Sequence, residues 1–259
     1  MRWQEFVDGY DFKARLVPTA IILLPSFCTA YYFSPTVLSS PIQLAGSSMF
    51  AFALIYLASM FIRDKGVRYA KRFWRERGGL PSTRVGRMRD SFLSPDQKTR
   101  IHSAVFRRFG IALLSLEQES EYPALADRKI MNAFREIKEF LRRYDGCELI
   151  EKHSAEYGFV RNLCGSRFVF VVQAMIGVVI CGFKGSWPHF TLTLGCAANL
   201  ILLTLWLPFA WLVLPRMLTL SADIYARRVW VTFLSLPDEP SKKPSTSVGS
   251  PTIQRRTVE

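Results

Sequence analysis

Two long stretches nearly free of charge, Leu16 to Ile62 and Phe168 to Leu214, constrain this chain more than anything else in it. A bilayer core about 30 Å thick needs about 20 apolar residues at the helical rise of 1.5 Å. Each stretch holds two such runs. The first run, Leu16 to about Leu38, has no charge, and Pro18, Pro25 and Pro35 predict a kinked or tilted helix. The second, Ile42 to Ile62, ends at Arg63-Asp64-Lys65. The third, Phe168 to about Phe183, is the shortest and contains Gln173. The fourth, about Phe190 to Leu214, contains Asn199 and has Pro208 near its end. Core helices of a soluble protein are apolar too, but charge-free runs in pairs near the spanning length favour two membrane hairpins. The expected fold is an all-α membrane protein: four transmembrane helices in two hairpins, with a helical basic cytosolic domain inserted between them.

The expected organisation is a cytosolic N-terminal segment over 1–15, hairpin 1 over 16–62, the basic domain over 63–167, hairpin 2 over 168–214 and a cytosolic tail over 215–259. After about residue 237 the tail is rich in Ser, Pro, Thr and Lys, a composition that predicts disorder. Arg2, Trp3, Glu5, Asp8 and Asp11 precede the first run without the basic flank and cleavage site of a signal peptide, so the run reads as a retained anchor.

Charge sets the orientation. The link from Ser34 to Pro41 has none, and the link from Lys184 to Pro188 has one basic residue. Residues 63–167 carry 23 Lys and Arg against 14 Asp and Glu, and the chain from Arg216 onward carries 7 against 4. The positive-inside rule then turns both short links outward and puts both termini and the middle segment of a multi-pass protein in the cytoplasm. The whole chain of 259 residues has a net charge of +13, which calls for an anionic partner. Its five cysteines show no CxxC spacing, so neither a disulfide framework nor a zinc ribbon is expected.

Within the basic domain, Val67 to about Arg77 is expected to prolong the second span and to stop at Gly78-Gly79. Ser82 or Thr83 is a candidate cap for a short helix. Ser94-Pro95-Asp96-Gln97 is a capping box with proline at the first helical position, opening a helix to about Gly110. A longer helix, Tyr122 to Tyr144, presents Ile130, Ala133, Ile137, Leu141 and Tyr144 on one stripe and ends at Gly146. Leu149 to Leu163 leads into the third span.

No acid–base, nucleophile or metal-ligand set stands out, so neither an enzyme nor a cofactor or metal is expected; His102, His153 and His189 are scattered. The density of arginine is the chemical signal. Residues 63–108 hold 14 Lys and Arg against 4 Asp and Glu. Arg72, Arg75, Arg84, Arg87, Arg89 and Arg161 are the candidate ligands for a polyanion, because a guanidinium fork can bind two phosphate oxygens. Tyr69, Phe73, Trp74 and Phe92 lie among them as candidate stacking platforms. Two bland readings compete: a collar on anionic membrane lipid for the residues nearest the span, and internal salt bridges for Arg84, Arg87 and Arg89. Asp64 and Asp90 are expected to neutralise neighbouring arginines. Gln173 and Asn199 must face other helices or a water-filled path, since an amide in lipid is costly. Gly177, Gly182, Gly195 and Ala198 permit close helix approach and favour a homo-oligomer.

The stretch Arg63-Asp64-Lys65-Gly66, Phe73-Trp74, Gly78-Gly79-Leu80-Pro81-Ser82-Thr83 and Arg87-Met88-Arg89-Asp90 resembles a bacterial multi-pass membrane family. The family pattern is RDxGK…LWxxWGGxPTTxxLRHRD followed by YGFxRN, the latter matched by Tyr157-Gly158-Phe159-Val160-Arg161-Asn162. The chain departs from it at Val67, at Arg77 in place of the second tryptophan, and at Ser82. Some such proteins are similar to pore-forming effectors of anti-phage defence, the Hailong type among them. The resemblance implies an oligomeric pore held closed by a DNA oligomer, with a partner nucleotidyltransferase that makes it. The rival expectation is a membrane scaffold or anchor that recruits a cytosolic partner through the Tyr122 to Tyr144 helix.

Overall fold

A computed structural model describes residues 9–33, 41–143, 148–184 and 189–236, without the side chains of Tyr10, residues 41–48 and Ala51. Every regular element among them is helical. The expectations for the two links, for the stop at Gly146 and for the tail beyond residue 236 lie outside the described residues.

A short turn α1 (Gly9–Asp11) and a π turn (Phe12–Leu16) lead into α2 (Val17–Phe33). Helix α3 (Pro41–Arg75) follows, then α4 (Pro81–Gly86), α5 (Pro95–Phe109), α6 (Leu116–Glu121) and α7 (Pro123–Leu141). Helix α8 (Glu148–Gly182) comes next. Helix α9 (Leu194–Pro208) passes through a second π turn (Phe209–Val213) into α10 (Leu214–Ser235). The local rules account for most of these ends. Gly78 and Gly79 take φ of 78° and 112°, a region open to glycine and closed to most side chains, and so stop α3. Ser94 makes the expected capping box with Gln97, and Gly110 terminates α5 in the left-handed region. A second capping box, Ser115 with Gln118, opens α6. Helix α4 departs from expectation: its N-cap is Leu80, without a side-chain cap, and Pro81 fixes the first turn instead.

Three helical runs are long and apolar enough to cross a membrane: Phe12–Phe33, Glu148–Gly182 and Leu194–Ser235. Only 22%, 33% and 22% of their most apolar stretches is buried, so most of each stretch faces away from the bundle. Their outward faces (Phe168, Met175, Val179, Leu205 and Leu212 among them) form an apolar surface suited to lipid. Aromatic and basic side chains cluster at both ends of it. Arg167 lies 5.3 Å from the Tyr69 ring, 5.3 Å from Phe168 and 4.9 Å from Trp211. Lys184 lies over Tyr32 and Phe33 and donates to the Tyr32 carbonyl at 3.1 Å. Along α8 these two belts are about 25 Å apart, close to the thickness of a hydrocarbon core.

Helix α8 packs against α2, α3, α9 and α10 and is the centre of the bundle. Beyond the bundle a second core forms the head of the molecule: Val85 of α4, Ile101 and Val105 of α5, Ile130, Ala133 and Ile137 of α7, and Val229, Trp230 and Phe233 of α10. Residues 215–235, the first part of the expected tail, are therefore helical and packed into both cores. Their stripe Leu218, Ala222, Ala226, Val229, Phe233 repeats at helical spacing and carries α10 from the first core into the second. Arg108 ties down the end of α10, donating to the Phe233 carbonyl at 3.0 Å and the Leu236 carbonyl at 2.5 Å.

Candidate functional site

The two blocks of the resemblance meet at one helix crossing. A methyl group on Gly165 would lie 2.6 Å from the Gly66 Cα and from the Lys65 carbonyl oxygen, so the backbones of α3 and α8 touch there. Gly66 in turn faces Asn162: a methyl on it would lie 2.9 Å from the Asn162 Cα. Asn162 is fully buried, and its Nδ2 donates to the Ala14 carbonyl at 2.7 Å. Ala14 lies in the π turn that opens the first helix, so this one amide locks the start of that helix to α8. A turn further out, Trp74 Nε1 donates to the Tyr157 hydroxyl at 3.3 Å. Arg161 is half-buried; its Nε and Nη2 lie 3.4 Å from Asn162 Oδ1 and its guanidinium 5.8 Å from the Tyr157 ring.

The run Gly78 to Asp90 is a knot of internal bonds. Arg87 is buried and grips Asp127 with both arms, Nε to Oδ1 at 2.7 Å and Nη2 to Oδ2 at 2.6 Å, while Nη2 also donates to the Gly78 carbonyl at 3.0 Å. Arg84 donates to Asp223 at 2.6 Å and has Asp90 at 3.8 Å. Buried Glu119 accepts the Met88 N–H with both oxygens at 2.9 Å. Buried Lys98 donates to the carbonyls of Met88, at 3.0 Å, and Asp90. Burial pushes the Lys98 ammonium below its ordinary pKa, and the Asp90 and Glu119 carboxylates oppose that shift. Burial likewise lowers the His102 imidazole, whose Nε2 is 3.5 Å from the Gly86 carbonyl.

The arginines of the expected polyanion groove fall into two groups in the fold. Arg84 and Arg87 already hold carboxylates, so the internal-salt-bridge reading accounts for both. Phe73 and Trp74 are buried in the bundle core and offer no stacking face. Phe92 is exposed, with Arg227 5.9 Å from its ring. Arg72, Arg75 and Arg89 remain exposed. Among the described residues Arg72 pairs with Glu76 at 3.2 Å, too solvated to hold the side chain firmly, and Arg75 and Arg89 make no ion pair. Asp64 pairs with Arg68, as Asp90 does with Arg84.

Gln173 and Asn199 find partners within one chain. Ser26 Oγ donates to Gln173 Oε1, which joins α2 to α8. Asn199 is fully buried and donates through Nδ2 to Thr29 Oγ1 at 3.1 Å and to the Gly195 carbonyl at 3.0 Å. Its Oδ1 has no donor and lies where a methyl on Gly177 would sit, 2.7 Å from that position. Both amides therefore stitch α2 to the second apolar block.

Lys98, Glu119, Asp127 and Asp223 were not among the expected site residues. Lys98 alone left a legible sign: it falls on the same helical face as Ile101 and Val105, where a charge must have buried partners. Comparison with protein-family models, with curated proteins and with solved structures finds no match.

Proposed function

We propose that the protein is an oligomeric membrane effector in which an anionic ligand, an oligonucleotide or nucleotide, bound to the basic head controls the arrangement of the membrane helices. It would reside in a bacterial inner membrane with four spans and both termini in the cytoplasm. A fourth span is supported by α3, whose Met49, Phe50, Phe52, Leu57, Met60 and Phe61 all point outward. The observation that carries the proposal is mechanical. Helices α3 and α8, each 35 residues, and the 42-residue run Leu194–Ser235 continue from the apolar bundle toward the head without a break. At about 50 Å and more they exceed the bilayer core by 20 Å, so a ligand that shifts the head must shift the bundle with it. Such a ligand gates only by preferring one arrangement over the other. Ion conduction and a role in anti-phage defence, with a nucleotidyltransferase supplying the ligand, belong to the same proposal and rest on the resemblance of the Arg63–Asp90 and Tyr157–Asn162 blocks.

Exposed Arg72, Arg75 and Arg89 are the residues to test. Replacing all three with alanine should weaken oligonucleotide binding and flatten its salt dependence by roughly two to three in the log–log slope, as three phosphate contacts are lost. Ion flux from liposomes holding the intact protein should change when the oligonucleotide is added, and should not respond in the triple variant. An unchanged salt slope would remove these arginines from the site.

A second reading, an anchor whose basic collar meets anionic lipid, is favoured by one observation: Lys13, Arg63 and Arg68 are exposed beside the spans while Arg84 and Arg87 are tied inward. Binding to anionic vesicles without oligonucleotide binding or flux would select it. Orientation is tested separately. Cysteines placed at Thr36 and Lys184 should react with an impermeant thiol reagent in intact cells, and one at Ser120 only after the membrane is opened. Labelling of Ser120 in intact cells would reverse the topology.

A further inference from the structure

Arg167 stands where the outward apolar face of α8 ends on the head side. Its backbone is committed, since its carbonyl accepts a hydrogen bond from Trp206 Nε1 at 3.2 Å. Its charge is not. Nε is enclosed without a hydrogen-bond partner, and among the described residues no carboxylate pairs with the guanidinium. Three rings hold it instead: Tyr69 toward the head, Phe168 and Trp211 toward the lipid. Lys65 lies one turn nearer the lipid than Tyr69 on the same stripe of α3, with Nζ 5.2 Å from the Phe61 ring. Burial pushes the Tyr69 phenol above its ordinary pKa, and of the cations Arg167 opposes this most and Arg77 less. Glu76 has the weakest influence on that phenol. It is seven residues, about 10 Å, further along the chain toward the head. Asp64 is at the depth of Lys65, but it precedes Gly66 by two residues and so faces away from α8, where Arg68 engages it.

We infer that Arg167 anchors a site for an anionic phospholipid in the leaflet that faces the head. The guanidinium would take the phosphate, with Lys65 beside it and the glycerol and upper acyl chain against Phe168 and Trp211. Depth supports this. The two belts put the Arg167 Cα at the edge of the hydrocarbon core. Helix side chains lean toward the N-terminus, which for α8 is the head, so the guanidinium reaches into a headgroup layer about 5–8 Å deep. A half-buried cation without a counter-ion is costly, and at that depth a lipid phosphate is the anion at hand. The rings keep the planar fork oriented, and Phe168 and Trp211 are both exposed to acyl chains. Two cations with no carboxylate on their side of the layer favour an anionic headgroup over a zwitterionic one. The site rests on the membrane reading above and is separate from Arg72, Arg75 and Arg89. A bound phosphate would tie α3, α8 and the π turn before α10 together at the boundary between bundle and head.

Native mass spectrometry of the detergent-extracted full chain tests this, with phosphatidylglycerol, phosphatidylcholine and glycerol phosphate as probes. Phosphatidylglycerol should be retained at one molecule per chain, in preference to phosphatidylcholine, and glycerol phosphate should not displace it. Arg167→Gln should weaken retention roughly five- to tenfold. It leaves the bond from Trp206 in place, because that bond is to the backbone. Arg216→Gln removes an exposed charge just past the end of the last apolar run, outside the ring cage, and should leave retention unchanged. In the unsubstituted chain, equal retention of the two lipids, or displacement by glycerol phosphate as effective as that by the lipid, would overturn the site. So would retention unmoved by Arg167→Gln, or lowered as much by Arg216→Gln, the mark of a diffuse basic collar. Extraction of membranes at alkaline pH separates this from the larger reading: a chain that stays in the pellet yet shows no lipid preference loses only the Arg167 site, whereas a chain washed off the membrane loses both.

Discussion

Trp230→Ala is expected to cost the head about 3–5 kcal/mol, the range for deleting a large buried aromatic. Trp230 is fully buried and stands where α10 enters the head. Its ring lies 5.6 Å from Phe134, its Nε1 donates to the Ser82 carbonyl at 3.0 Å, and a methyl on Gly86 would lie 2.9 Å from its ring. The substitution therefore opens a cavity and orphans a carbonyl in one stroke. An apparent Tm lower by roughly 10 °C is expected in detergent, together with rapid proteolysis between residues 81 and 143. Membrane insertion should be unaffected, because Trp230 is in the head core rather than the bundle. Trp230→Phe keeps most of the volume and should lose only about 1 kcal/mol, the share of the hydrogen bond. A Trp230→Ala protein as protease-resistant as the parent would mean that α10 does not hold the head.

Arg87→Ala is the second large effect, and it separates two roles for one residue. Severing a fully buried ion pair costs about 3–5 kcal/mol because the remaining charge has no partner. The Asp127 side chain is 33% exposed, so water recovers part of that and about 2 kcal/mol is expected. Arg87→Lys should rescue little, since a single ammonium cannot replace a fork bound to Asp127 and to Gly78. Arg87→Ala with Asp127→Ala should be more stable than Arg87→Ala alone, as the stranded carboxylate is gone. Thermal melting of the three variants measures this, and oligonucleotide binding should follow stability only. If Arg87→Ala left the melting temperature unchanged and abolished oligonucleotide binding, Arg87 would belong to the ligand site after all.

The difference between the arginines shows where sequence reasoning stopped. All of the candidate arginines look alike in a charge count, and six were expected on phosphate. Only the fold distinguishes them. Arg87 reaches Asp127 across 40 positions and Arg84 reaches Asp223 across 139, so both are consumed by partners that no local window contains. Phe73 and Trp74 behave the same way. In the sequence they are aromatics among arginines; in the fold they face α8, because α3 turns that side toward the crossing at Gly66 and Gly165. The amides were half legible. That Gln173 and Asn199 must meet protein or water followed from the cost of an amide in lipid. That Ser26 and Thr29 of the same chain would meet them depended on which helices are neighbours.

What the sequence determined by itself is everything governed by contacts within a few residues. Run length and the absence of charge marked the apolar runs that three of the helices, long and apolar enough to cross a membrane, contain. Ser94 with Gln97 began α5, and the left-handed Gly78, Gly79 and Gly110 ended helices. These depend on backbone geometry and on hydrogen bonds three or four positions away. The tertiary structure decided the rest. It alone joined Asn162 to the Ala14 carbonyl and carried residues 215–235 into the core of the head. Each of these joins groups more than a hundred residues apart in the chain, and a separation in sequence holds no record of the distance in space until packing has chosen the neighbours.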